Sequence, residues 1–405
     1  MPLDLVTSIF NKFYDQDKIG HRIICQMELD NTKKKNINIQ NIRDLFKKSF
    51  SLPEFCHFQK LIVNREWHDT PVNWENHIYE LNKSEKIKNY INKMSSHIFP
   101  DGQPLWECVT LGNKYIVFVC DHTYGDGALV TKALSCIFDN NEINNCIKSK
   151  NKNNFKLSFF SRFYLFFKII LLIFFRFIKK KNTNSKKNSE LKNQIKTMEL
   201  GIISLASLKK IREKFNCSDG SYITINDILH TLIVKTNSLY FERENISSAA
   251  MFNTRMGSMD LNRQNKLGYI LLANIVRNSD KPEDTLRDVH AFMQFYKMTP
   301  AIPIITSIID FLHWISGDLA LRIIKYMNER VDFVISNYVL EYKDKTINGG
   351  INVKNINAMV TPCNTNQMYS LISYGDKINI RLTHYCMDKK RLRTCFKDAL
   401  EWLSC

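Results

Sequence analysis

The stretch KYIVFVCDHTYGDGALVTKAL, residues 114–134, joins two patterns that cannot belong to one element. It begins as an apolar run of Val, Ile, Phe and Tyr, the composition of a strand buried on both faces. That run ends at Asp-His-Thr-Tyr-Gly-Asp-Gly, after which helix-compatible residues resume. His122 and Asp126 therefore stand i and i+4 where a strand gives way to a turn, and Gly125 and Gly127 allow positive φ or a close backbone approach. Near pH 7 a neutral imidazole is a good general base for a hydroxyl or amine attacking an activated acyl group. Three readings follow: a structural histidine on an ordinary turn, a His122–Asp126 metal pair, or the base of an acyl transfer. Spacing alone favours the first. The second has no third ligand nearby in sequence.

Strand and helix alternate on both sides of this stretch. Before it, HRIICQMEL and KLIVN read as strands, and NIRDLFKKSF and LNKSEKIKNYINKMSSH as helices. After residue 198, MELGIISLASLKKIREKFN reads as a strand running into a helix. TINDILHTLIVKTNSLYFE reads as a helix capped by Thr224 or Asn226. Further strands are expected in GYILLANIV, RVDFVISNYV, MYSLISYG and KINIRLTHY, and helices in IDFLHWISGDLALRIIKYMNE and DKKRLRTCFKDALEWL. The expected class is α/β, with one domain over residues 1–147, a linker over 148–198 and a second domain over 199–405.

Charge and cysteine usage narrow the function. The formal charge is +17, but residues 148–196 hold 14 Lys or Arg against the single acid Glu190, so that one segment supplies +13 of it. Neither domain then looks like a nucleic-acid-binding module. The 11 cysteines include no CxxC pair, and no cleavable secretory signal is visible in the first residues. Reduced thiols facing the cytosol are expected.

The linker itself is unusual. Nine of the 26 phenylalanines fall between Phe155 and Phe177. Arg162, Lys168 and Arg176 interrupt the apolar run, which is too short to span a bilayer alone. At about 100° per residue these cations collect within an arc of roughly 120°, opposite an aromatic body that includes Phe166, Phe167, Phe174 and Phe175. That pattern is an in-plane amphipathic membrane helix, followed by lysines suited to anionic headgroups. A buried helix with a solvated linker, and a tilted spanning helix with snorkelling cations, are the alternatives.

HTYGDG resembles the HxxxDG motif of the coenzyme-A-dependent acyltransferases, the superfamily of chloramphenicol acetyltransferase and peptide-synthetase condensation domains. The pieces NHIYEL, MSSHIFPDGQPLWE, VFVCDHTYGDGALV, TINDIL, FNTR, ISN and SYGDKINI occur in the order of the wax ester synthase/diacylglycerol acyltransferase family. The resemblance runs from His77 to the C-terminus. It implies two chloramphenicol-acetyltransferase-like domains with an active-site tunnel at their interface and His122 at its centre. By the same resemblance His122 and Asp126 are the catalytic-motif pair. His122 takes the acceptor's proton, and Asp126 acts structurally, with Arg255 as its partner. Gly127 allows close packing behind the histidine. Asn226 and Asp227 shape the site from the second domain, Pro104, Leu105 and Trp106 support the fold or tunnel, and Ser336-Asn337 is a weaker candidate.

The chain also departs from the family. Asp121 replaces the first of two adjacent histidines and is expected to act on the basicity of its surroundings. YVLEYK replaces a glycine-proline after Asn337, and Tyr269 follows Gly268 in place of asparagine. These changes bear on substrate preference and activity. No GxSxG-type nucleophile lies beside His122, so direct transfer is expected.

The implied function is transfer of a fatty acyl group from acyl-CoA, as co-substrate, to a long-chain alcohol or diacylglycerol, forming wax ester or triacylglycerol. No permanently bound cofactor, metal or nucleic acid is expected. The implied setting is the cytosolic face of the endoplasmic reticulum membrane, with lipid droplet or plasma membrane as alternatives and anionic lipid as a partner. Acylation of a small soluble alcohol or amine, and a non-catalytic lipid-binding membrane protein, are the competing functions.

Overall fold

The computed structural model describes residues 3, 5–17, 21–30, 35–139, 195–215, 222–253, 267–277, 279–298, 311, 317–340, 344–362, 365, 367–385 and 387–404. The first half runs α1 (Leu5–Asp17), β1 (Arg22–Asp30), α2 (Ile39–Phe50), β2 (Lys60–Val63), β3 (Glu66–Asp69), α3 (Trp74–His77), β4 (Ile78–Glu80), α4 (Ile87–Met94), β5 (Trp106–Leu111), β6 (Tyr115–Asp121) and α5 (Gly127–Ser135). The second half begins with β7 (Lys196–Ser204), α6 (Leu205–Lys214), α7 (Ile225–Phe241), β8 (Asn245–Asn253), β9 (Leu267–Arg277), α8 (Pro282–Met298) and α9 (Gly317–Asn328). It closes with β10 (Phe333–Val339), β11 (Thr346–Ile347), β12 (Ile351–Val360), β13 (Gln367–Tyr374), β14 (Lys377–His384) and α10 (Lys389–Ser404).

Two six-stranded sheets carry twelve of these strands, in the orders β11-β12-β1-β6-β5-β4 and β7-β14-β13-β10-β8-β9, and β2 and β3 pair as a separate hairpin. β6 is apolar from Ile116 to Cys120 because both faces of its sheet are covered. Ile116, Phe118 and Cys120 face a core containing Phe46 and Phe50 of α2, while Val117 and Val119 face Tyr90, Ile91 and Met94 of α4. The second core lies between α7, α10 and the second sheet, where Ile228, Leu232, Leu392 and Phe396 meet Ile378, Ile380 and Leu382.

The first sheet is completed from late in the chain. β12 pairs antiparallel with β1, from Ile23 opposite Val360 to Asp30 opposite Asn352. Without it, β1 would be an open edge with a row of unpaired backbone groups. The chain then crosses to the second sheet, with Thr361 N–H donating to Arg22 O at 2.9 Å.

Most sequence-expected elements form within a few residues of their expected bounds, but two differ. The helix expected from Leu81 onward begins only at Ile87, because Asn82 closes a turn by accepting from Ser84 N–H at 3.1 Å. The helix expected over residues 309–329 is described as Gly317–Asn328. Among the described residues no helix is long and apolar enough to cross a membrane. The linker residues Arg162, Phe166, Phe167, Lys168, Phe174, Phe175 and Arg176 lie outside the described residues.

Candidate active site

β6 ends at Asp121, whose carboxylate begins the next turn. It accepts from Thr123 N–H at 3.0 Å and from the Thr123 hydroxyl, so the chain turns at once into a short 3-10 helix, His122–Tyr124. His122 N–H donates to His21 O at 2.6 Å, tying the turn to the residue before β1. The imidazole is buried, and one face stacks on Phe10 of α1 with ring centroids 4.1 Å apart and planes 21° from parallel.

Under the turn lies a charge pair. Arg22, fully buried at the start of β1, donates through its guanidinium to Asp121 and to His97 O, the latter at 2.7 Å. The guanidinium also lies over the rings of Phe99 and Tyr14, at 4.5 and 5.6 Å from their centroids. Burial pulls the Arg22 pKa down, and the Asp121 charge opposes that shift. The carboxylate expected to act on the basicity around His122 is thus committed to Arg22 and Thr123. Its role in this geometry is to bind α1, β1, β6 and the His97 loop into one knot.

The other side of the turn is equally braced. His57 donates through Nε2 to Tyr124 O at 2.7 Å, and Tyr124 donates its hydroxyl to Lys60 O at 2.6 Å. Burial lowers the His57 pKa to about 4, so this ring is neutral near pH 7.

Asp126 is buried and caps α5, accepting from Leu129 N–H at 3.0 Å. Its expected partner, Arg255, lies outside the described residues. Of the two glycines read from sequence as allowing a close approach, Gly125 is the more tightly packed. A Cβ at Gly125 would stand 2.8 Å from Leu129 Cδ2, whereas no atom lies within 4 Å of the same position at Gly127. Pro104, Leu105 and Trp106 form the strand end beside the turn. Leu105 O accepts from Asp121 N–H at 2.8 Å, and the buried Trp106 donates through Nε1 to Phe58 O at 2.7 Å.

The second-half candidates gather on the other sheet. Thr224 caps α7 in a reciprocal box with Asp227. Asp227 also accepts from His290 Nδ1 at 2.8 Å, and Asn226 accepts from Asn337 Nδ2 at 2.9 Å. Two sequence-distant motifs, Asn226-Asp227 and Ser336-Asn337, are therefore one local structure. Gly268 and Tyr269 fall on β9, paired with Phe252 and Met251 of β8.

Arg22, Phe10, His97 and His57 were not singled out from the sequence. Their contacts join residues far apart in the chain, and no local spacing marks them. A buried arginine at a strand start, complementary to an aspartate at another strand's end, was the one available signal.

Known proteins give a consistent context. Residues 263–404 match the WS/DGAT C-terminal domain family. No curated protein sequence matches the chain. The wax ester synthase/diacylglycerol acyltransferase from Marinobacter aquaeolei VT8 is similar in structure with a TM-score of 0.56 at 12% identity, covering 100% of this chain and 98% of that one. The TRI3 trichothecene 15-O-acetyltransferase from Fusarium sporotrichioides is similar with a TM-score of 0.61 at 10% identity, covering 98% and 93%. Polyketide synthase associated protein 5 from Mycobacterium tuberculosis gives 0.57 at 10% identity, covering 99% and 96%. At such identities the likeness is one of fold. Residues 263–404 are thus similar to the WS/DGAT C-terminal domain, in line with the resemblance carried by the sequence motifs, and the chain is similar in fold to the Marinobacter wax ester synthase/diacylglycerol acyltransferase.

Proposed function

We propose that the chain is an acyl-CoA-dependent O-acyltransferase whose acceptor is a long-chain alcohol or diacylglycerol. The observation that carries this reading is His122, delivered by β6 into the braced, buried turn of an HxxxDG motif on an acyltransferase fold. The acceptor oxygen attacks the thioester carbonyl carbon while His122 takes the hydroxyl proton. Collapse of the tetrahedral intermediate expels the coenzyme A thiolate, which recovers that proton from the imidazolium. The ester and free coenzyme A leave without a covalent enzyme intermediate.

Phe10 occupies one face of the imidazole, so the acceptor hydroxyl approaches the ring edge, where the nitrogens lie. Asp126 holds the first turn of α5 and takes no proton. Asn226, Asn337 and Asp227 order the start of α7 in the second half. The cationic, phenylalanine-rich segment favours a lipid acceptor, with the enzyme held at the cytosolic face of the endoplasmic reticulum. A second reading, a small soluble alcohol as acceptor, draws support from the fold shared with the trichothecene 15-O-acetyltransferase.

The test is an assay of membranes carrying the protein with labelled palmitoyl-CoA, offering hexadecanol, diacylglycerol and a small alcohol in separate reactions. Labelled wax ester or triacylglycerol supports the first reading and names the acceptor. Transfer to the small alcohol alone moves the function to the second. No transfer to any acceptor contradicts both.

A further inference from the structure

At the edge where the second sheet meets α4, the structure collects cations and buried polar groups that lack an opposing acceptor among the described residues. Gln367, His384 and Lys196 stand opposite one another across β13, β14 and β7. Directly opposed residues share a face of the sheet, so the three form a lateral row on the side covered by α10. Gln367 and His384 are fully buried, yet among the described residues Gln367 Nε2 and both ring nitrogens of His384 have no hydrogen-bond partner. Buried polar groups are nearly always paired, so two adjacent exceptions call for a ligand.

Charge surrounds this row. Lys389 begins α10 five residues after His384, and Arg393, one turn on, donates to Glu199 O of β7 at 3.2 Å. From the first half, Asn92 of α4 accepts both the N–H and the hydroxyl of Thr197 at 3.0 Å, which sets Lys88, one turn earlier, at the same edge. Burial lowers the Lys389 pKa, and Lys88, Lys196 and Arg393 lower it further. His384 is brought down to about 4 by burial first, then by Lys389 and Lys196. The neighbouring acid Asp388 is engaged in capping α10, accepting from the amides of Lys390 and Arg391 at 2.8 and 3.1 Å.

We propose that this corner binds a phosphate group, with Lys88, Lys196 and Lys389 supplying positive charge at its open side and His384 and Gln367 supplying N–H donors from its floor. A dianionic tetrahedral oxyanion answers both needs at once, since it accepts several directed bonds while neutralising several cations. Such a group arrives either as free inorganic phosphate or on a small molecule, as in the 3′-phosphate of coenzyme A. The second source rests on the acyl-transfer reading above; the first does not.

Thermal unfolding of the full chain, at chloride-matched ionic strength, reads binding without reference to activity. Inorganic phosphate is expected to raise Tm along a saturable curve. In Lys196→Gln/Lys389→Gln, an exposed and a half-buried position outside the hydrophobic core, the apparent dissociation constant is expected to rise about tenfold or more. A parallel titration compares coenzyme A with dephospho-coenzyme A. A larger shift with coenzyme A, closing in the double variant, assigns the site to its 3′-phosphate. Equal shifts with the two coenzymes, alongside a saturable inorganic-phosphate effect lost in the double variant, assign it to free phosphate. No saturable shift with any of the three, or the same shifts in the double variant, overturns the site. That result leaves the acyltransferase reading untouched, because no arm measures transfer.

Discussion

Asp126 opens α5 and Asp227 lies in the first turn of α7, and each carboxylate accepts a backbone amide there, yet the histidines nearby are held in contrasting ways. In the second half the rings themselves are tied. His290 donates to Asp227 at 2.8 Å, and His230 is bonded to Ser248 at 2.7 Å while burial lowers its pKa to about 4. In the first half, the described bracing of His122 runs through its backbone to His21 and through its neighbour Asp121 to Arg22, while its ring meets a phenylalanine. The contrast separates two uses of one residue type. The ring tied to Asp227 orders a helix terminus, whereas the proposed function asks the ring of His122 to move a proton.

The largest expected effect on stability breaks the bracing at its strongest point. Asp121→Asn strands the buried Arg22 charge and is expected to cost about 3–5 kcal/mol in chemical denaturation. Replacing both partners, as Arg22→Met/Asp121→Leu, is expected to recover most of that loss, because the stranded charge rather than the missing pair carries the cost. A double variant no more stable than Asp121→Asn contradicts the pair.

Acid sharpens the comparison next. His57, His230 and His384 fall from 6.5 to about 4 in the folded chain, with burial the first cause in each. Between those values the unfolded chain binds protons that the folded chain does not. The stability contribution of these residues is therefore complete above about pH 6.5, declines on acidification and levels off near pH 4. The summed loss is on the order of several kcal/mol, read as a falling Tm. His230→Asn is expected to flatten part of that slope. An unchanged slope places the proton uptake elsewhere.

The smallest effect belongs to the second-half junction. Thr224→Ala removes one side of the capping box on α7 and is expected to lower stability by about 1 kcal/mol. Thr224→Ser should restore it. Because the Thr224–Asp227 box orders a terminus and handles no proton, acyl transfer by the folded variant is expected to stay within a few-fold of the parent. A large loss of rate at full folding would instead give that junction a part in the chemistry.

What was legible in the sequence was local. The buried strand at residues 115–121, the break at Asp121 and the Thr224 cap each rest on signals within a few residues, and each forms as expected. HxxxDG singled out His122 and Asp126 as candidates for the same reason. The bracing was not legible, because Arg22 and Asp121 are 99 residues apart and Asn226 and Asn337 are 111 apart. Nor does INVKNINAMV announce that it completes the first sheet, since strand composition carries no address for its partner. The motif names Gly127, and only the structure shows that Leu129 packs most tightly against the neighbouring Gly125.

The central claim is that His122, and no other described histidine, takes the acceptor's proton. Its most direct test is single-turnover transfer from labelled palmitoyl-CoA by the parent, His122→Ala and His290→Ala, each shown by circular dichroism to be folded. Loss of about 10²–10⁴-fold in His122→Ala, with His290→Ala near the parent rate, is the expected result. Equal transfer by the parent and His122→Ala would contradict it.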